Sequence, residues 1–149
     1  FSRSVNAVVD AIVNHKCSQA LMDGIEFDAN VFLPAILPFR AGNLAIVFGN
    51  LLDNALEACR EVEAGKRWVN METAYTKEML MVSVCNSCQV RKRNRDGRYA
   101  TTKNDRHIHG LGLYSVEQAV EPYCGQLEVE YKDGVFRAAV VMYGCYGEK

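Results

Sequence analysis

Apolar residues recur at intervals of three and four near the start of the chain, at Val5, Val8, Val9, Ile12, Val13 and Leu21. That period predicts a helix over about residues 4–22, with Gly24 as its C-terminal stop. A short strand is expected from about Ile25 to Leu33, ending near Pro34, and Pro38 marks further irregular chain. A long helix should run from about Gly42 to Val62 and close at Ala64-Gly65. Val69, Met71, Thr73 and Tyr75 alternate with Asn70, Glu72 and Ala74, the period of a half-buried strand. After a turn at Thr76-Lys77-Glu78, the nearly unbroken apolar run from Met79 to Cys85 reads as a central strand.

Residues 87–109 have no apolar period and carry many charges, so they read as a long loop. Loops of this length in a compact domain are usually functional. A helix is expected from about Gly110 to Tyr123, stopped by Gly125. Leu127, Val129 and Tyr131 then alternate with charged residues, Asp133-Gly134 is a two-residue hairpin signal, and Val135 to Tyr143 is the return strand. Together these elements predict a two-layer α+β domain with three helices on one face of a mixed sheet.

The long helix carries the first candidate chemistry. At about 100° per residue, Leu44, Phe48, Leu51, Ala55, Ala58 and Val62 form one stripe. Asn43, Asn50, Asn54, Glu57 and Glu61 form a second, and Asp53 and Arg60 lie opposite the first, where solvent is expected. Asn50 and Asn54 thus sit one turn apart at the margin of the core. Asparagine is a weak helix former because its amide competes for the backbone. Two solvated asparagines would explain the pattern; so would a pair facing a cleft, where amide oxygens can hold Mg²⁺ or orient phosphate and water.

The second candidate is His109-Gly110-Leu111-Gly112-Leu113, where the charged loop passes into a helix. Glycine lets a backbone approach a ligand, and the free N–H groups of a helix start favour phosphate. Thr101, Thr102 and Lys103 just before it offer two hydroxyls and an ammonium to a triphosphate. The loop also holds Arg91, Lys92, Arg93, Arg95, Arg98, Lys103 and Arg106 against Asp96 and Asp105. In a chain of net charge -1 this local positive field suits an anionic ligand or an acidic partner. Tyr99 is its only aromatic residue, which points to a nucleotide rather than to nucleic acid.

Composition narrows the rest. The 149 residues are 49% hydrophobic and 23% charged, the balance of one globular domain. No stretch approaches the roughly 20 apolar residues of a spanning helix, and no signal peptide is visible. The chain opens at Phe1 without Met, the form of a piece cut from a longer protein. Six cysteines lie at 17, 59, 85, 88, 124 and 145. Cys17 and Cys59 fall on apolar sides of helices and Cys85 ends an apolar strand, as reduced core cysteines do. Cys85-Asn86-Ser87-Cys88 leaves a redox pair or half a zinc site open, but no second such pair follows at finger spacing. A reducing cytoplasm is expected.

Asn50-Leu51-Leu52-Asp53-Asn54-Ala55-Leu56-Glu57-Ala58 resembles the N box of the GHKL ATPase superfamily, which groups gyrase, heat-shock chaperone, mismatch-repair and histidine kinase ATPases. His109 to Leu113 resembles its last glycine box. The wording is most similar to the AgrC-like, peptide-sensing histidine kinases of Gram-positive bacteria, and the likeness spans about residues 25–143. It implies a Bergerat-type sandwich with a mixed, mostly antiparallel sheet, binding ATP with Mg²⁺. Residues 25–149 would be the catalytic domain with a lid at about 87–109, and residues 1–24 the end of a linker or dimerisation region. By position, Asn54 would ligand Mg²⁺ and Asn50 would contact phosphate or its water. Lys103 and the amides of Gly110, Leu111, Gly112 and Leu113 would cradle phosphates, beside Thr102 and His109. Asn86 stands where an aspartate usually reads adenine.

The resemblance further implies γ-phosphoryl transfer to a histidine on upstream dimerisation helices, a homodimeric and membrane-anchored parent, and a response regulator as partner. His15, beside Asn14 and Lys16, reads as a surface residue rather than as the acceptor. Three departures stand out. Ser87-Cys88-Gln89 replaces the usual glycines after the adenine reader, Glu57 stands where many kinases carry a phosphate-contacting lysine, and Ala138 lies near the place of a supporting threonine. A degenerate, non-catalytic binding module is therefore the second reading. A clamp-type or chaperone ATPase is the third, opposed by Asn50 standing where such enzymes usually carry a glutamate base.

Overall fold

The computed structural model describes residues 6–90 and 103–144, and the backbone alone for residues 103–111. The first helix, α1 (Ala7–Met22), is capped by Asn6, whose Oδ1 accepts from the Val9 N–H at 3.1 Å. It ends as the sequence predicts: Gly24 takes φ +64, and the Ile25 N–H reaches the Ala20 carbonyl at 2.9 Å. This is a Schellman close, with Ile25 and Ala20 both buried beside it. Val9, Val13 and Ala20 of α1 belong to the same core cluster as the rest of the domain.

Next come β1 (Glu26–Asn30) and α2 (Ala41–Arg60). The expected stripe of α2 is buried from Leu44 to Ala58, with Val62 half-buried past the helix end, and Val47, Leu52, Leu56 and Cys59 are buried too. The buried arc is therefore about 200° wide, because α2 is the middle helix and packs on α1, α3 and β3 at once. Asp53 and Arg60 still lie outside that arc, Arg60 exposed and Asp53 half-buried, and both form ion pairs at the surface. Asp53 pairs with Lys16 of α1, and Arg60 Nε meets Asp23 Oδ2 at 2.7 Å. The last carbonyls are held by a residue the pattern did not reveal: Arg67 donates to Val62 O at 2.8 Å, Asp23 O at 2.9 Å and Arg60 O at 3.1 Å.

Strands β2 (Trp68–Thr76), β3 (Met79–Ser87), β4 (Gln126–Lys132) and β5 (Val135–Tyr143) complete one sheet in the order β1-β2-β3-β5-β4. β1 and β2 are parallel and the remaining pairs antiparallel. Three helices and this sheet make the mixed α+β sandwich the pattern predicts. β3 is central, but its apolar run is not buried on both faces. Leu80, Val82, Val84 and Asn86 point inward, whereas Met81 is 44% exposed and Ser83 and Cys85 are half-buried on the open face.

Helix α3 (Lys103–Val120) begins about two turns earlier than expected, because its first turns carry polar and charged residues with no apolar period to announce them. It passes through a 3-10 turn (Glu121–Tyr123) into a second Schellman close. Here Cys124, not Gly125, takes the left-handed position at φ +51. Gly125 is needed one place later, since a Cβ there would lie 2.5 Å from Val120 Cβ.

Both hairpin turns use two consecutive left-handed residues, the type I′ geometry. Asp133-Gly134 does so with suitable residues, at φ +49 and +82; Lys77-Glu78 does so at +50 and +63 without glycine or asparagine. Replacing Lys77-Glu78 by Asn-Gly should therefore stabilise the fold by about 1 kcal/mol, or roughly 2–4 °C in Tm. A calorimetric scan showing no gain would mean the turn is not strained in solution.

Candidate functional site

On α2, Asn50 is half-buried and Asn54 is buried, 4% exposed. They lie one turn apart on the flank opposite Leu52, Leu56 and Cys59. Asn54 Oδ1 is shut off from solvent and has no hydrogen-bond partner among the described residues. A buried amide oxygen without a donor costs about 1–3 kcal/mol, and Asn70 Oδ1 is the other such oxygen among the described residues. Asn43, further up the same flank, has a structural task. Its Nδ2 donates to Tyr123 Oη at 2.8 Å, and the Arg40 N–H donates to the same oxygen at 3.0 Å.

Asn86 lies 1% exposed on the inner face of β3, the strand under α2. It sits between Val69 of β2 and Phe136 of β5 in register. Its Nδ2 donates to the Ser87 carbonyl at 2.9 Å, which orients the amide. Ala138, the expected neighbour of the adenine site, is buried on the same inner face. Ser87 is held in turn, its Oγ accepting from the Trp68 N–H at 3.0 Å. The buried Cys59 thiol donates to Trp68 O at 3.2 Å, tying the end of α2 to this corner. Burial pushes that thiol's pKa up, against the lowering effect of its hydrogen bonds, so Cys59 stays protonated and unreactive.

This lock gives a prediction for Asn86→Asp, the residue the resemblance would favour. A carboxylate there meets the Ser87 carbonyl and loses hydration, so its pKa rises in the folded state above the ordinary ~3.9. The folded state then binds the proton more tightly. Stability is unaffected below the unfolded pKa and falls as pH rises toward the folded value, by about 3 kcal/mol at pH 7. Melting curves at pH 4 and pH 7 should diverge from those of the parent. Parallel curves would mean that Ser87 turns away.

Of the remaining expected site residues, Leu113 is a core residue at 4% exposure and Gly112 is half-buried, both within α3. A Cβ on Gly112 would meet nothing within 4 Å among the described residues, so packing against them does not explain a glycine that costs a helix about 1 kcal/mol against alanine. Gly110 and Leu111 belong to α3 by backbone, so the segment expected to open a helix lies inside one instead. The side chains of Lys103 and His109 lie outside the described residues, as do Thr102 and the basic stretch from Arg91 to Arg98. Glu57 is exposed, and so is His15, as expected.

Cys85 and Cys88 are three residues apart on extended chain, the Cys88 N–H still reaching Gly134 O at 2.9 Å. At about 3.3 Å per residue their Cα atoms stand roughly 10 Å apart, beyond the ~7 Å a disulfide spans. Among the described residues there is no group of three His, Cys, Asp or Glu placed to hold a metal. Asn54 offers Mg²⁺ one neutral oxygen, which fits an ion whose other ligands are phosphate and water.

The same architecture recurs in the catalytic parts of histidine kinases. A nucleotide-free catalytic domain of the histidine kinase ThkA is 16% identical, over 92% of this chain and 91% of that one, at a TM-score of 0.68. The mycobacterial sensor histidine kinase MprB is 20% identical, over 91% and 93%, at 0.64. The histidine kinase domain of the blue-light activated kinase EL346 from Erythrobacter litoralis is 16% identical, over 93% and 61%, at 0.62. The fold is that of a histidine kinase catalytic domain. By sequence, residues 40–143 match the GHKL domain, and the chain belongs to that family. No curated protein matches it by sequence. None of the described helices is long and apolar enough to cross a membrane.

Proposed function

We propose that this chain is the Mg²⁺-ATP-binding catalytic domain of a cytoplasmic sensor histidine kinase of the AgrC-like branch. The observation that carries the reading is the buried, unpartnered Oδ1 of Asn54, at the position of the N box that ligands Mg²⁺. The helical Gly112 and the oriented amide of Asn86 agree with it.

Asn86 would take the adenine amino group through Oδ1, and Asn50 would orient phosphate or its water. Lys103 and the segment from Gly110 to Leu113, flanked by Thr102 and His109, would close on the phosphates. Mg²⁺, when bound with the nucleotide, would neutralise phosphate charge at Asn54. The domain's contribution is positioning and charge compensation. With Asn50 in place of a glutamate base, hydrolysis by this chain should be slow, and the γ-phosphoryl group would go to a histidine outside it. The upstream dimerisation helices, a homodimeric membrane-anchored parent and a response regulator complete the proposal.

Titration calorimetry of ATP with and without Mg²⁺ tests it. Binding at micromolar to sub-millimolar strength is expected, weakened at least tenfold by EDTA and lost in Asn54→Ala. No heat at millimolar nucleotide from folded protein would leave the degenerate, non-catalytic module as the better reading.

A further inference from the structure

The turn between β4 and β5 holds more than its own two strands. Their ladder ends at Lys132 and Val135, so both backbone groups of Gly134 lie beyond it. Both are nevertheless engaged. The Gly134 carbonyl accepts from the Cys88 N–H at 2.9 Å, and the Gly134 N–H donates to Tyr131 Oη at 3.3 Å. The same Tyr131 hydroxyl donates to the Gln89 carbonyl at 3.2 Å. Gln89 reaches back through Nε2 to the Glu61 carbonyl at 3.3 Å, where α2 ends. A Cβ on Gly134 would come within 3.2 Å of Val90 Cγ2, so glycine also lets the turn and this segment close up.

These bonds converge on one peptide unit. The Cys88 N–H shares its plane with the Ser87 carbonyl, and that carbonyl accepts from Asn86 Nδ2 at 2.9 Å. Gly134 therefore holds one edge of a rigid plane whose other edge orients the Asn86 amide. A carbonyl only accepts, so the amide must turn its nitrogen toward it. Without that carbonyl the amide could rotate by half a turn and present either end to a ligand. An aspartate has two equivalent oxygens and needs no such lock; an asparagine does. We infer that Tyr131 is a positioning residue for base recognition. Through Gly134 and the Ser87–Cys88 peptide it keeps the Asn86 amide in one orientation, so that the site takes an aminopurine and refuses an oxopurine. This rests on the reading above, in which Asn86 meets the base.

Titration calorimetry of this chain with Mg²⁺-ATP and Mg²⁺-ITP, which carries a carbonyl where ATP carries its ring amino group, tests the inference. The parent should prefer ATP by about tenfold or more. Tyr131→Phe keeps the ring against the core and leaves to water a hydrogen bond already exposed to it. It should fold as the parent does, yet lose about threefold or more of that preference. In Asn86→Ala the preference should be gone, and adding Tyr131→Phe should move the ratio no further. A merely structural tyrosine would weaken both nucleotides alike, and that outcome overturns the inference. So does a parent that binds both equally, or a fall in the ratio that persists without Asn86. An ATP-selective parent whose ratio survives Tyr131→Phe removes only the role of Tyr131. Binding of neither nucleotide by the folded parent removes the nucleotide reading, and this inference with it.

Discussion

Asn54→Ala should melt about 3–6 °C above the parent chain while losing Mg²⁺-ATP binding. The substitution deletes a buried oxygen that has no donor among the described residues, worth about 1–3 kcal/mol. It also replaces a poor helix former by the best one, worth roughly 0.5 kcal/mol in the interior of α2. Against this stands the small void left at a 4% exposed position, which returns part of the gain. The balance is about 1–2 kcal/mol of added stability. A site whose removal stabilises the fold is kept for another reason, which on the proposed reading is the ligand. Paired thermal scans and titrations read both halves. A melting temperature below the parent's would mean that Asn54 is already satisfied in solution, and the metal role would lose its physical basis.

The largest loss is expected at Tyr123, which joins the end of α3 to the start of α2. It is 1% exposed, its ring meets Phe39 edge-on at a centroid distance of 5.0 Å, and its hydroxyl accepts from both Arg40 N–H and Asn43 Nδ2. Tyr123→Ala should cost about 3–5 kcal/mol, a fall of roughly 10 °C or more. Tyr123→Phe keeps the packing but strands two donors, so it should cost about 1–2 kcal/mol. Urea unfolding of the pair separates packing from hydrogen bonding. If Tyr123→Ala lies within 1 kcal/mol of the parent, α3 does not depend on this contact.

The elements were legible because their periods are clean. Val69, Met71, Thr73 and Tyr75 do line the inner face of β2, and Asp133-Gly134 does turn the last hairpin. The marginal placement of Asn50 and Asn54 also followed from the helical period. The misreadings have one cause: a periodic pattern records polarity, not neighbours. Leu52 and Leu56 were outside the expected stripe because nothing in α2 itself says that α1 packs beside it. Met81 and Cys85 looked buried because apolar residues on an open face read like core. The first turns of α3 are polar and charged, and so looked like loop. Arg67 and Tyr123 act through backbone groups far away in sequence, and no spacing encodes those partners.

The open face of the sheet bears on how such chains diverge. Along β3 and β5 the even-numbered residues Leu80, Val82, Val84, Phe136, Ala138, Val140 and Met142 are buried, while their odd-numbered neighbours from Met79 to Cys85 and from Val135 to Tyr143 are half-buried or exposed among the described residues. Roughly half of the central sheet is thus released from steric selection. Two lineages can replace nearly all of those odd positions and still fold alike, so resemblance between them survives as a rhythm of every second residue long after overall identity has faded.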